Sequence, residues 1–139
     1  MKNREALIIT LKELKEVLVD EMGNKICCCG EIITQGNRYS AHHIDPVRNN
    51  GKTVPPNIAP LCEITHPRFN FIEARSNRYA KVMNDGFLQL KMDKDREIVF
   101  QLHDYMQEKL EEFEYDAESR LYLRKQVNHH HKVKKRKRH

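Results

Sequence analysis

The chain reads as an α+β protein, with helical ends around a turn-rich middle that carries two short strands. Three observations predict this. Leu7, Ile8, Leu11, Leu14 and Leu18 recur at the three- and four-residue spacing of one apolar helix stripe. Ile98, Leu102, Met106 and Leu110 repeat that spacing toward the other end. Between them, residues 26–70 are rich in turn residues and hold two runs with strand character, "EIIT" and "RYSAHHI".

Taken in order, the first stripe predicts a helix over residues 3–21, ended by C-cap chemistry at Gly23 and Asn24. "EIIT" and "RYSAHHI" flank Gln35-Gly36-Asn37, which suggests a hairpin. Pro46 and the "RNNG" of 48–51 break the second strand. Pro55, Pro56 and Pro60 argue against regular structure in the next stretch. A helix is expected from Pro67, which suits a first helical turn, to about Asn84, with Gly86 as its stop. "FLQLKM" at 87–92 reads as a strand or a connector. Further helices are expected over about Lys94 to Phe113 and Ala117 to Gln126. There is no internal repeat.

At 139 residues one domain is the default, with room for one moderate core. Charged residues make up 32% and apolar residues 39%, a water-compatible balance. The apolar stretch from Ala6 to Val19 is interrupted by Lys12, Glu13, Lys15 and Glu16, so it reads neither as a signal peptide nor as a membrane span. A reducing cytoplasmic setting is the expectation, with no membrane partner. Cys27, Cys28 and Cys29 are consecutive and Cys62 stands apart, which suits metal binding or burial better than a disulfide framework.

The net charge of +5 belongs to the end of the chain. Residues 129–139, "HHHKVKKRKRH", hold six Lys/Arg and no acid, leaving 19 basic against 20 acidic residues elsewhere. Such a run favours polyanions and is usually disordered; it could serve as a DNA arm, a nuclear-import signal or a solubilising tail. Between Asp104 and Glu118 lie seven acids and one lysine, read as a solvated face.

The stretch that asks most of the chemistry is "AHHIDP", residues 41–46. Neighbouring strand residues point to opposite faces, so the bland reading is one buried and one exposed histidine. Context raises a sharper one. Asn57 follows fourteen residues after His43, His66 nine after that, and "PPNIAPLCEITHP" lies between and around them.

Cys29-Gly30, His42-His43-Ile44-Asp45-Pro46, Asn57 and Leu61-Cys62-x-x-Thr65-His66 together resemble the HNH endonucleases of the ββα-metal (His-Me finger) superfamily. The likeness covers about residues 26–80. It implies a small ββα-metal core, a β-hairpin followed by a helix, flanked here by other helices. It divides the chain into an N-terminal helix at 1–25, a nuclease core at 26–85, a mostly helical extension at 86–128 and the basic tail at 129–139. It also implies hydrolysis of DNA phosphodiesters, with His43 as the general base and Asn57 tying the loop to the strand. By the same likeness His42 and His66 hold a divalent metal (Mg²⁺, Mn²⁺, Ni²⁺ or Zn²⁺), with Asn70 as an alternative ligand one helical turn on. Two protein ligands leave coordination sites open, as a catalytic metal needs. Arg48, Lys52 and Arg68, the last beside a helix N-terminus, are candidates for phosphate contact. Small standalone proteins of this family occur in phages, prophages and restriction systems.

The family often holds its fold with zinc between two Cys-x-x-Cys knuckles. Here position 26 is Ile and position 65 is Thr, so at most Cys27 or Cys28, Cys29 and Cys62 remain, and structural zinc stays an open question. Cys62 and His66 could also make a zinc half-site, leaving Asn70 as the catalytic ligand. A non-catalytic nucleic-acid-binding module that kept the fold, and a purely structural zinc protein, are the other readings.

Overall fold

The computed structural model describes residues 1–115; the expected helix at 117–126 and the basic tail lie outside the described residues. The fold is mixed α and β, with four helices and one two-stranded antiparallel sheet among the described residues. In chain order these are α1 (Asn3–Glu13), β1 (Tyr39–His43), β2 (Ile58–Cys62), α2 (Thr65–Arg75), α3 (Asn77–Asp93) and α4 (Arg96–Glu112).

The N-terminal helix stops at Glu13, short of the expected 21. Its buried positions are Ala6 and Thr10, continued by Leu14, Val17 and Leu18, while Ile8 is exposed. Of the expected stripe Leu14 and Leu18 are buried, Leu7 and Leu11 are half-buried, and Ile8 falls outside it. Gly23 and Asn24 do not cap this helix. They close a tight turn in which Val19 pairs with Lys25, Gly23 sits at φ 86°, and the Asp20 carboxylate accepts from the Met22 and Asn24 backbone N–H groups at 2.9 and 2.8 Å. The left-handed conformation is why glycine stands there.

The expected hairpin partner is also different. Thr34 and Asn37 do close a turn, each N–H bonded to the other's carbonyl at 3.1 Å. Yet β1 pairs with β2, in the register Tyr39 with Cys62 through His43 with Ile58. "EIIT" instead runs back along the cysteine segment, where Ile26 pairs with Ile32. Long-range burial decides this, because every residue of β2 is buried and an all-apolar strand must be covered on both faces.

The prolines did not exclude β2. The Ile44 N–H donates to the Asn57 carbonyl at 2.9 Å, so the alternation of an antiparallel ladder makes Ala41 and Pro60 a non-hydrogen-bonded pair. Pro60 therefore forfeits no ladder bond to β1, and its carbonyl accepts from the Cys28 N–H at 3.0 Å. Lys91 reaches under the strand from α3 and donates to the Ile58 carbonyl at 2.7 Å and to the Pro55 carbonyl.

The helix expected from Pro67 to Asn84 is two helices. Ser76 adopts an extended conformation between them, and its hydroxyl accepts from the Tyr79 N–H at 3.2 Å, capping α3. "FLQLKM" is neither strand nor connector, since α3 runs through it to Asp93. Gly86, expected as a stop, is inside α3. A Cβ there would stand 2.6 Å from Leu102 Cδ2, so glycine permits the close approach of α3 and α4. α4 matches its expected span to within two residues at the start and one at the end, with Val99, Leu102, Met106 and Leu110 buried. The boundary expected at residue 85 falls inside α3.

One core joins all of this, from Leu14 through the four cysteines, Leu61, Phe69, Ile72 and Phe87 to Leu110. Phe69 and Phe87 have no exposed surface; each contributes roughly 2–3 kcal/mol of burial. No helix among the described residues is long and apolar enough to cross a membrane.

Candidate active site

The end of β1, residues 46–48 of the following loop and the first three turns of α2 meet in a cleft of about 200 Å³. His42, His43, Arg48, His66, Asn70 and Glu73 are among its lining residues. The two faces of the β1 pleat explain the histidine pair: His42 is 7% exposed, and His43 is half-buried. On α2, His66, Asn70 and Glu73 follow at four- and three-residue spacing, so one helical face carries all three.

Each imidazole is held through one ring nitrogen. His42 Nε2 meets Asn84 Oδ1 at 2.8 Å, His43 Nε2 meets Thr53 Oγ1 at 2.9 Å, and His66 Nδ1 meets Ser40 Oγ at 2.9 Å. The His42 and His66 rings stand edge to face with centroids 5.3 Å apart, and His42 also packs on Phe69 at 4.5 Å. Burial pulls the His42 pKa down to about 4, and the neighbouring His66 and His43 add to that, while the Asn84 bond works the other way. Burial likewise lowers His66, with His43 adding to it. Both rings are therefore neutral at pH 7, the form that can ligate a metal. Paired neutral imidazoles on one cleft, each oriented by a second side chain, are a donor set that fits a divalent cation with open positions.

Asn57 ends the loop, just before β2. Its Oδ1 accepts from the Asp45 N–H at 2.7 Å, and its Nδ2 donates to the Asp45 carbonyl at 2.9 Å and the Lys52 carbonyl at 2.8 Å. It fastens the residues just beyond His43 to those just before Thr53, the partner of His43. The loop comes back on itself so tightly that a Cβ on Gly51 would lie 1.7 Å from the Asp45 carbonyl oxygen.

The three cations expected at phosphate are not together. Arg48 lines the cleft and forms an ion pair with Glu73 at 3.6 Å. Lys52 is exposed on the loop. Arg68 points elsewhere: it is partly buried and bound to Glu31 at 2.9 Å, joining α2 to the cysteine segment. Its role is to hold that segment, because a charge already paired and half-desolvated is a poor catcher of phosphate.

The cysteines are all buried and free. Cys27 and Cys62 share Thr65, with Sγ to Oγ1 distances of 3.3 and 3.1 Å. Their sulfurs also accept backbone bonds, Cys27 from the Cys29 N–H at 3.4 Å and Cys62 from the Thr65 N–H at 3.3 Å. Hydrogen bonds from Cys27 and Thr65 make Cys62 the easier thiol to ionise, while Cys27 is pushed up. Burial raises Cys28 to about 12 and Cys29 well above its ordinary value. Among the described residues, no group of three or more His, Cys, Asp or Glu is placed to hold a metal ion. Cys27, Cys62 and Thr65 close on one another instead, with Cys29 alongside, and its carbonyl meets His103 Nδ1 at 3.0 Å.

Glu73, Ser40, Thr53, Asn84 and His103 escaped the sequence reading. Glu73 had a usable signal in its spacing from His66 and Asn70; the others are single common residues with no pattern. No protein-family model, curated protein or solved structure matches this chain. The HNH resemblance therefore stands on the sequence residues named above, of which His42, His43, Pro46 and His66 line the cleft.

Proposed function

We propose that the chain is a metal-dependent endonuclease of the HNH type, acting on DNA phosphodiesters. The observation that carries this reading is the cleft itself. His66 lines it together with His42 and His43, although it follows them by more than twenty residues in the chain, and Asn57 ties the neighbouring loop to the strand.

In this reading His43 removes a proton from the attacking water. When its Nε2 donates to Thr53, Nδ1 holds the lone pair that takes that proton. Water oxygen bonds to phosphorus, the bond to the 3′ oxygen breaks, and that oxygen leaves with a proton from solvent. His42 and His66, with Asn70 beside them, would hold the divalent cation, which supplies Lewis acidity to the phosphate and the departing oxygen. Arg48 is the cleft cation nearest in kind to a phosphate ligand; it must leave Glu73 to act as one.

The test is supercoiled plasmid cleavage in Mg²⁺, Mn²⁺ or EDTA, with wild type and His43→Ala. Metal-dependent nicking that vanishes in the variant supports the reading. A folded wild type that binds DNA and cuts with none of the metals would replace it with a non-catalytic binding module.

A further inference from the structure

His42 is nearly enclosed, and its ring is wedged between Phe69, Phe87 and His66 at centroid distances of 4.5, 5.6 and 5.3 Å. Packing of this kind fixes where the ring lies but leaves open which nitrogen carries the proton. Asn84 decides that. Its Oδ1, an oxygen that can only accept, stands 2.8 Å from His42 Nε2. A neutral imidazole has one N–H, so a proton on Nε2 leaves the lone pair on Nδ1.

Asn84 belongs to α3, beyond the residues that carry the HNH resemblance. α3 is itself seated on α4 through the close approach at Gly86 and Leu102. Asn84 also borders a second groove, of about 300 Å³, that shares Pro46, Arg48 and Glu73 with the cleft. α3 is thus in direct hydrogen-bond contact with His42.

We propose that Asn84 is the positioning residue for His42, holding it as the Nε2–H tautomer so that Nδ1 is the nitrogen offered to a divalent cation. This rests on the reading of His42 as a metal ligand. The residue acts through His42 and touches neither substrate nor metal. Outer-shell partners of metal-bound histidine are commonly worth ten- to a hundredfold in affinity.

Two measurements test it, both without DNA. Long-range proton–nitrogen NMR on the metal-free chain reads the His42 tautomer, and electron paramagnetic resonance reads Mn²⁺ uptake. Wild type should show Nε2–H. Asn84→Leu should lose that tautomer and bind Mn²⁺ at least about tenfold more weakly. Asn84→Asp, which keeps an acceptor oxygen, should restore both. An Nδ1–H tautomer in wild type overturns the proposal, and so does unchanged Mn²⁺ affinity in Asn84→Leu. If that variant does not fold, the wild-type tautomer and the Asn84→Asp affinity decide. A correct tautomer with no Mn²⁺ uptake sensitive to His42→Ala would remove the metal reading itself, and the proposal with it.

Discussion

Asn57 and Asp45 are bonded twice, once in each direction: the Asn57 amide oxygen accepts from the Asp45 N–H at 2.7 Å, and the amide nitrogen donates to the Asp45 carbonyl at 2.9 Å. With the further bond to the Lys52 carbonyl, one side chain clamps both ends of the loop that carries Thr53 to His43. Asn57→Asp keeps the acceptor and loses both donors. It should cost about 1–2 kcal/mol in urea melts and lower cleavage more than substrate binding. A variant with full stability and full activity would remove Asn57 from the site.

Gly51 has no room for a side chain, because the obstructing atoms are backbone: Asp45 O at 1.7 Å and Pro46 O at 2.7 Å. Gly51→Ala should destabilise by about 2 kcal/mol or more and disorder the cleft wall. Gly36, where a Cβ would meet nothing within 4 Å, is the matched control. Equal melting temperatures for the two alanine variants would refute the crowding.

His42 sets a pH dependence of stability. Its folded pKa is pulled down to about 4 from an ordinary 6.5, and His66 is shifted the same way. Between those values the unfolded chain takes up a proton that the folded ring refuses. The stability is therefore fully present above about pH 6.5 and is lost as the pH falls toward 4. In EDTA, His42→Gln should flatten the fall in stability between pH 7 and 5 without abolishing it, since His66 remains. An unchanged slope would show that His42 protonates freely in the folded state.

Thr65 stands where a second knuckle cysteine would, within 3.3 Å of the Cys27 sulfur and 3.1 Å of the Cys62 sulfur. Thr65→Cys places a third thiol in that cluster. It should bind Zn²⁺ more tightly than the native chain in competition with a chelating dye, and zinc should raise its melting temperature. A variant no better than the native chain would mean that the two turns are held too far apart by their hydrogen bonds to close on a metal.

Residues 129–139 carry six cations. If they contact DNA phosphates, deleting them should weaken binding and flatten the salt dependence by up to about 5 units of log K per log salt. An unaltered slope in anisotropy titrations would assign the DNA contact to the folded part alone.

Local patterns carried much of this protein. The three- and four-residue apolar rhythm was enough to place α4. The tandem histidines lie at the end of β1 and His66 at the start of α2, where the local patterns put a strand and, close by, a helix start. The single core followed from length and composition.

Tertiary structure decided the rest, and in each case a distant partner supplied the reason. β2 exists in spite of Pro60 because α1 and α2 pack against it and bury it. Gly86 continues a helix because Leu102 needs the space. Arg68 was drawn to Glu31 and away from the cleft, and Thr65 closed the cysteine pair. The nitrogen that His42 presents depends on Asn84, forty-two residues away. Hydrophobic periodicity is a short-range property of the chain, whereas burial and hydrogen-bond satisfaction depend on what the whole chain brings within a few ångströms.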